Sequence, residues 1–142
     1  MDAVKHAMER AAGGLGWSYP CLIWVADYLL EATGIDYALG WRNRDWNEAT
    51  ATLALARLAA GGQGATSVEK ALDNMARAQG WEPVTENRQG AVMIGVFNGI
   101  GPDGEGVPAI FDGESRWIAG HVEGRRIESI GLFPDRAWEL SA

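Results

Sequence analysis

The spacing of apolar and polar residues changes period once along this chain. As far as Gly80 the apolar positions recur every three to four residues, the spacing of one helix face, and from Gln89 onward they gather in short β-rich runs. The helical half centres on the stretch from Trp17 to Gly34. There Leu22, Ile23, Trp24, Val25, Ala26, Tyr28, Leu29 and Leu30 leave only Asp27 and Glu31 as a polar stripe, which predicts a helix buried over most of its circumference. Pro20 suits its first turn, where a missing N–H costs no intrahelical bond, and Gly34 suits the left-handed position that ends a helix. The predicted span is Tyr19 to Thr33.

Shorter helices flank this one. Asp2 to Ala12 places Ala3, Val4, Ala7, Met8 and Ala11 on one side and closes at Gly13 and Gly14. After Gly34 comes a connector dense in aromatics and arginines. Asp45 with Glu48 then forms a capping-box pattern ahead of a helix from Ala49 to Ala60, carrying Leu53, Leu55 and Leu58 and stopped by Gly61 and Gly62. Thr66 with Glu69 repeats the device for a further helix, lined by Val68, Leu72 and Met75 and ending before Gly80.

Beyond Gln89, Ala91 to Phe97, Val107 to Phe111, Arg116 to Val122 and Arg125 to Leu132 read as strands. The turn clusters Asn98 to Gly106, Asp112-Gly113 and Glu123-Gly124 separate them, which predicts a small antiparallel sheet. A last short helix, Asp135 to Leu140, is expected after Pro134. Helices first and a sheet afterwards is the α+β pattern: N-terminal helices, one of them a central cysteine-bearing helix, packed on a C-terminal antiparallel sheet. No repeat or linker divides residues 1–142, so a single domain is expected.

Composition narrows the function classes. With 142 residues, 47% of them apolar and seven of them tryptophan, the chain suits one full-sized core. A formal charge of −7 opposes a nucleic-acid or anionic-membrane surface. Asp2, Lys5, His6, Glu9 and Arg10 break any apolar signal-peptide core, and no uncharged run is long enough to span a bilayer, so a soluble protein without a signal peptide or membrane insertion is expected. The single cysteine excludes an internal disulfide and a zinc site built from several thiolates.

That cysteine, Cys21, falls in the first turn of the central helix, where free N–H groups and the positive end of the helix dipole favour a thiolate. The commoner role of a lone cysteine in such a position is that of a small buried apolar residue. A cysteine nucleophile needs a base within hydrogen-bonding reach, and only two histidines are available. His6 reads as a solvent-facing side chain of the first helix; His121 lies near the end of a predicted strand. Gly99, Gly101 and Gly104 spell the spacing of a dinucleotide-binding loop, but a strand rather than a helix follows, which makes it a hairpin loop. Asp103, Glu105, Asp112 and Glu114 lack the spacing of a calcium loop and read as solvated turn residues. No cofactor or metal is expected.

The order of parts, a cysteine opening a buried helix, two further helices and then a small antiparallel sheet, resembles papain-like cell-wall peptidases of the NlpC type. More narrowly the chain resembles the small NlpC-like proteins encoded in tail modules of bacteriophages, prophages and gene-transfer agents. The residues that carry the likeness are Trp17, Cys21, Ala26-Asp27, Thr33-Gly34-Ile35-Asp36, Arg42-Asn43-Arg44-Asp45-Trp46, Gln89-Gly90-Ala91, Val107 to Gly113 and Trp138. The chain also departs from that pattern. Pro20 stands where the family has an aspartate before the cysteine, Trp17 is one residue closer to Cys21 than in the family, and Ala91 replaces an acidic residue. Val107 and Pro108 occupy the start of the second strand, where active members carry the catalytic histidine.

The resemblance therefore implies a structural or adaptor component of a phage tail tip, or baseplate, with a degenerate peptidase fold. Its partners would be hub, distal-tail or fibre proteins, and its location the virion after synthesis in the host cytoplasm. Tyr37, Trp41, Arg42, Arg44 and Trp46 are the expected contact residues, because arginine beside aromatics is typical of interface anchors; alternatively the tryptophans cover the core and the arginines are solvated. The competing expectation is an active endopeptidase on peptidoglycan stems, with Cys21 as nucleophile and His121 as its base. A regulator or inhibitor directed at the host is a third class.

Overall fold

The computed structural model describes residues 2–16, 19–42, 51–61, 64–65, 67–101, 104–122 and 126–140, without the side chains of residues 51–53. Four helices precede a sheet: α1 (Asp2–Arg10), α2 (Cys21–Thr33), α3 (Ala51–Ala59) and α4 (Val68–Gln79). Among the described residues no helix is long and apolar enough to cross a membrane.

α2 is the pivot of the helical layer. Its apolar run leaves Cys21 to Ala26, Tyr28 and Leu29 all buried. Trp24 is sealed, and its indole N–H donates to the Ala7 carbonyl at 2.8 Å, tying α1 to α2 through a buried hydrogen bond. Gly34 caps α2 in the left-handed region (φ 80°), its N–H donating to the Leu30 carbonyl. Pro20 is the N-cap, one position before the helix begins, where its extended ψ of 151° suits a proline as well as the first turn does. α4 is capped by Ser67, whose hydroxyl accepts from Lys70 N–H at 3.1 Å; the capping pattern read from Thr66 is thus supplied by its neighbour, and Thr66 lies outside the described residues. The Asp45–Glu48 pair also lies outside them.

The sheet has six strands: β1 (Glu82–Val84), β2 (Met93–Phe97), β3 (Val107–Phe111), β4 (Trp117–Val122), β5 (Arg126–Ile130) and β6 (Arg136–Glu139). All neighbours are antiparallel, in the order β1-β6-β2-β3-β4-β5. The α+β class stands, with two corrections. Asp135 to Leu140 does not form a helix: β6 runs between β1 and β2, pairing Trp138 with Pro83 on one side and with Ile94 on the other. β1, three residues long and containing a proline, gave no strand signal of its own.

Both faces of the sheet are apolar. Ile94, Val96, Ile110, Ile118 and Trp138 point to the helices and join their core. Met93, Phe97, Val107, Ala109, Phe111, Trp117, Ala119 and Ala137 point the other way and form a second core to which, among the described residues, no helix contributes. Phe133 closes edge-on against Trp117 at 5.7 Å, and Asn87 accepts from the Trp117 indole N–H at 2.9 Å, so the segments before β6 and before β2 cover this second face. With both sides covered, the strands read as nearly continuous apolar runs instead of alternating ones.

Candidate functional site

Cys21 is the first residue of α2, which packs on β3 and β4. Its thiol is only 4% exposed. Burial, first, and the carboxylate of Glu105 just ahead of β3, second, push its pKa up to about 12, outweighing the backbone hydrogen bonds at the helix start that act in the opposite direction. The thiolate that the helix start favours is thus opposed by the burial of Cys21 in the core, the commoner role of a lone cysteine. The influence of Glu105 places the sulfur near the start of β3. Here Val107 faces the second core, and Pro108, alternating with it, faces the helices.

The two histidines lie on different elements, His6 on α1 and His121 on β4. His6 on α1 pairs with Glu31 of α2, joined by Arg10, at the exposed side of the helix pair. His121 is half-buried in β4 and has a φ of 63°, the left-handed value rare for a residue with a side chain. It sits at an irregularity of the β4–β5 pairing between Ala119 and Val122, where an extra residue bends the strand. Beside it, Gly120 lies under the Trp24 ring of α2, with room for no Cβ.

The connector after α2 holds three of the expected contact residues. Trp41 is 7% exposed and its indole N–H donates to the Tyr37 carbonyl at 3.2 Å, so it covers the core. Tyr37 is half-buried with its ring edge-on to Trp81 at 5.2 Å. Arg42 is clamped: it donates to both carboxylate oxygens of Asp36, at 2.7 and 3.1 Å, and to Asp27 of α2. Tyr19 completes the cluster by donating its hydroxyl to Asp27 at 2.6 Å. Asp36 is held below the ordinary carboxylate range, chiefly by the Arg42 hydrogen bonds, and the Tyr19 hydroxyl is pushed up by burial and by Asp27. Arg44, Trp46 and Trp17 lie outside the described residues.

The joint hold of Asp27 and Asp36 on Arg42 escaped the sequence reading, because Asp27 lies on α2 and the other two on the connector after it, and no period links them. Asp112 has a turn role that its residue type does signal: one carboxylate oxygen accepts from the N–H groups of Glu114, Ser115 and Arg116, at 2.8 to 3.1 Å. Gly99, Gly101 and Gly104 lie in the β2–β3 connection, with Gly101 N–H donating to the Glu105 carbonyl across it. Among the described residues no group of three or more His, Cys, Asp or Glu side chains could hold a metal ion. Comparison of the chain with family models, with characterised proteins and with solved structures finds no match.

Proposed function

We propose that the protein is a structural or adaptor component of a bacteriophage tail tip, built on an NlpC-type, papain-like scaffold whose peptidase chemistry has been lost. One observation carries the loss of chemistry: the cysteine at the head of the central helix is buried, and that burial pushes its thiol well above the usual range. A thiol held neutral is a poor nucleophile, and an adjacent carboxylate disfavours its ionisation further. In the place where active members of the resembled family carry a histidine, the chain has Val107 and Pro108, and neither accepts a proton. The scaffold then serves by its surface, toward hub, distal-tail or fibre proteins. Purified virions analysed by peptide mass spectrometry should contain the chain, and Cys21→Ala virions should assemble and infect as the parent does. Absence of the chain from virions excludes the reading.

A second reading has one observation in its favour. His121 is the single non-glycine residue at positive φ among those described, and strained backbone gathers at functional sites. It lies two residues past Ala119, whose partner is Ala109 of β3, on a strand against which α2 packs. In this reading the protein is an endopeptidase on cell-wall peptides, with Cys21 attacking and His121 moving the proton. Purified protein incubated with peptidoglycan should then release stem peptides, and both Cys21→Ala and His121→Ala should abolish the release.

A further inference from the structure

Among the described residues the sheet ends on β1 at one side and β5 at the other, and the outer side of an edge strand is a template for pairing with another chain. Which backbone groups face out follows from the ladders. Bonded and non-bonded pairs alternate along an antiparallel ladder; Leu140 N–H donates to the Val92 carbonyl, and Asp112 N–H to the Arg116 carbonyl, which fixes the phase on each side. β6 therefore turns Trp138 toward β2 and turns Ala137 and Glu139 toward β1, where Pro83 is left facing out. A proline has no N–H to offer, so this three-residue edge is blunted at its middle.

The other edge has no proline. β4 turns Trp117 and Ala119 toward β5, so their partners Ile130 and Glu128 face inward, and Ser129 and Ile127 direct their N–H and carbonyl groups to the open side. Arg116 reaches across the strand to meet them. Its Nε donates to the Ser129 hydroxyl at 2.7 Å and its Nη2 to the Ser129 carbonyl at 3.0 Å. The path runs beside Gly131, where a Cβ would stand 3.0 Å from the guanidinium.

β5 is also complementary to itself. Glu128 and Ile130, opposite Ala119 and Trp117, lie on the second-core face with Arg126, while Ile127 packs toward the helices. Two copies of β5 laid antiparallel with Ile127 opposite Ile127 exchange backbone hydrogen bonds there and set Arg126 of each opposite Glu128 of the other. The register centred on Glu128 opposes two like charges, and the one centred on Ser129 sets Glu128 against Ile130 with no counter-charge. In the Ile127 register the next outward carbonyl is that of Ser129, the one Arg116 holds.

We propose that β5 is a pairing edge for a second copy of this chain and that Arg116 guards it, keeping the folded protein single by occupying the Ser129 carbonyl. The inference is independent of the adaptor reading. Arg116 and Gly131 are both exposed, so Arg116→Ala, which removes the guard, and Gly131→Val, which pushes it aside, should keep the parent circular dichroism spectrum. Sedimentation velocity on the full-length proteins is expected to show a monomeric parent and a concentration-dependent dimer for each variant, at least about tenfold tighter than any association of the parent. Adding Glu128→Arg to Arg116→Ala sets arginine against Arg126 and should weaken the dimer at least about tenfold, and a further Arg126→Glu should restore it. Variants that stay monomeric, a parent that associates as tightly as they do, or a dimer indifferent to Glu128→Arg overturns the proposal.

Discussion

At Cys21 two effects of opposite sign meet on one sulfur atom. A helix N-terminus stabilises an anion by about 0.3–1 kcal/mol at an exposed site, whereas enclosure in apolar surroundings moves a pKa by several units. Enclosure wins, and the thiol titrates near 12. Because its folded pKa lies above the unfolded value, the native state holds the proton more tightly, and stability is full below the unfolded pKa and falls as pH rises from about 9 towards 12. Tyr19 and Tyr28, both raised chiefly by burial, add to the decline above their unfolded values. Urea midpoints measured from pH 7 to pH 11 should therefore fall, and Cys21→Ala should flatten the first part of the fall. At Arg42 the issue is which partners lose their counter-charge. Arg42→Ala leaves Asp27 and Asp36 facing each other part-buried, and a loss of about 1–3 kcal/mol in the unfolding free energy is expected. Arg42→Lys should recover only part of it, because an ammonium lacks the fork that spans two carboxylates. On the acid side Asp36, held low by the same guanidinium, contributes stability that is present above its unfolded pKa and lost as pH falls through its folded value.

Elements in this fold are fixed as much by what lies against them as by their own residues. β4 approaches α2 closely enough that a Cβ on Gly120 would lie 2.7 Å from the Trp24 ring, and β2 runs so near the segment before β6 that a Cβ on Gly95 would lie 2.7 Å from Pro134 and 2.8 Å from the Arg136 carbonyl. Each Gly→Ala change should destabilise by about 1–3 kcal/mol in denaturant unfolding. The Gly95 variant should lose more, because a carbonyl in a strand pairing yields less than a ring edge does. The same dependence on neighbours separates what was legible in the sequence from what was not. α2 and α4 carried their own stop signals, Gly34 and Gly80, and α2 its own all-round apolar face, so their existence and ends were readable. β3 was readable to the residue, since a proline-containing apolar run between two turn clusters has no helical alternative. Asp135 to Leu140 contains alanine, glutamate and leucine, good helix formers, and a proline just before them; only the ladders on both sides make it a strand. β1 is legible only from its partner. For the candidate site, the helical position of Cys21 was visible but its environment was not, because Glu105 reaches it from the far side of the chain. Trp41 and Arg42 have the composition of an interface, yet the fold turns one inward and gives the other two acids.

At the scale of the molecule, the helix-facing core and the second core lie on opposite faces of the sheet between them. Asp73, 5% exposed on α4, receives Arg136 of β6 at 2.8 Å, so one ion pair fastens α4 to the sheet, while the Trp138 ring of the same strand lies 4.9 Å from the guanidinium. Removing Asp73 strands two arginines, one of them half-buried; Asp73→Ala is expected to lower the unfolding free energy by about 2 kcal/mol or more, whereas the double change with Arg136→Met should cost less than the sum of the single ones. The position of β6 has a further consequence, for how the protein is made. A ribosome delivers β6 after every other strand of the sheet, yet β6 sits between β1 and β2. Until it emerges, β1 has no neighbour, the Asp73 carboxylate has no Arg136, and the Trp138 side chain is missing from the helix-facing core. Nascent chains stalled with Arg136 still in the exit tunnel should remain open to protease, and those extended far enough to free Leu140 should become resistant in a single step, so that the sheet closes only once β6 has emerged.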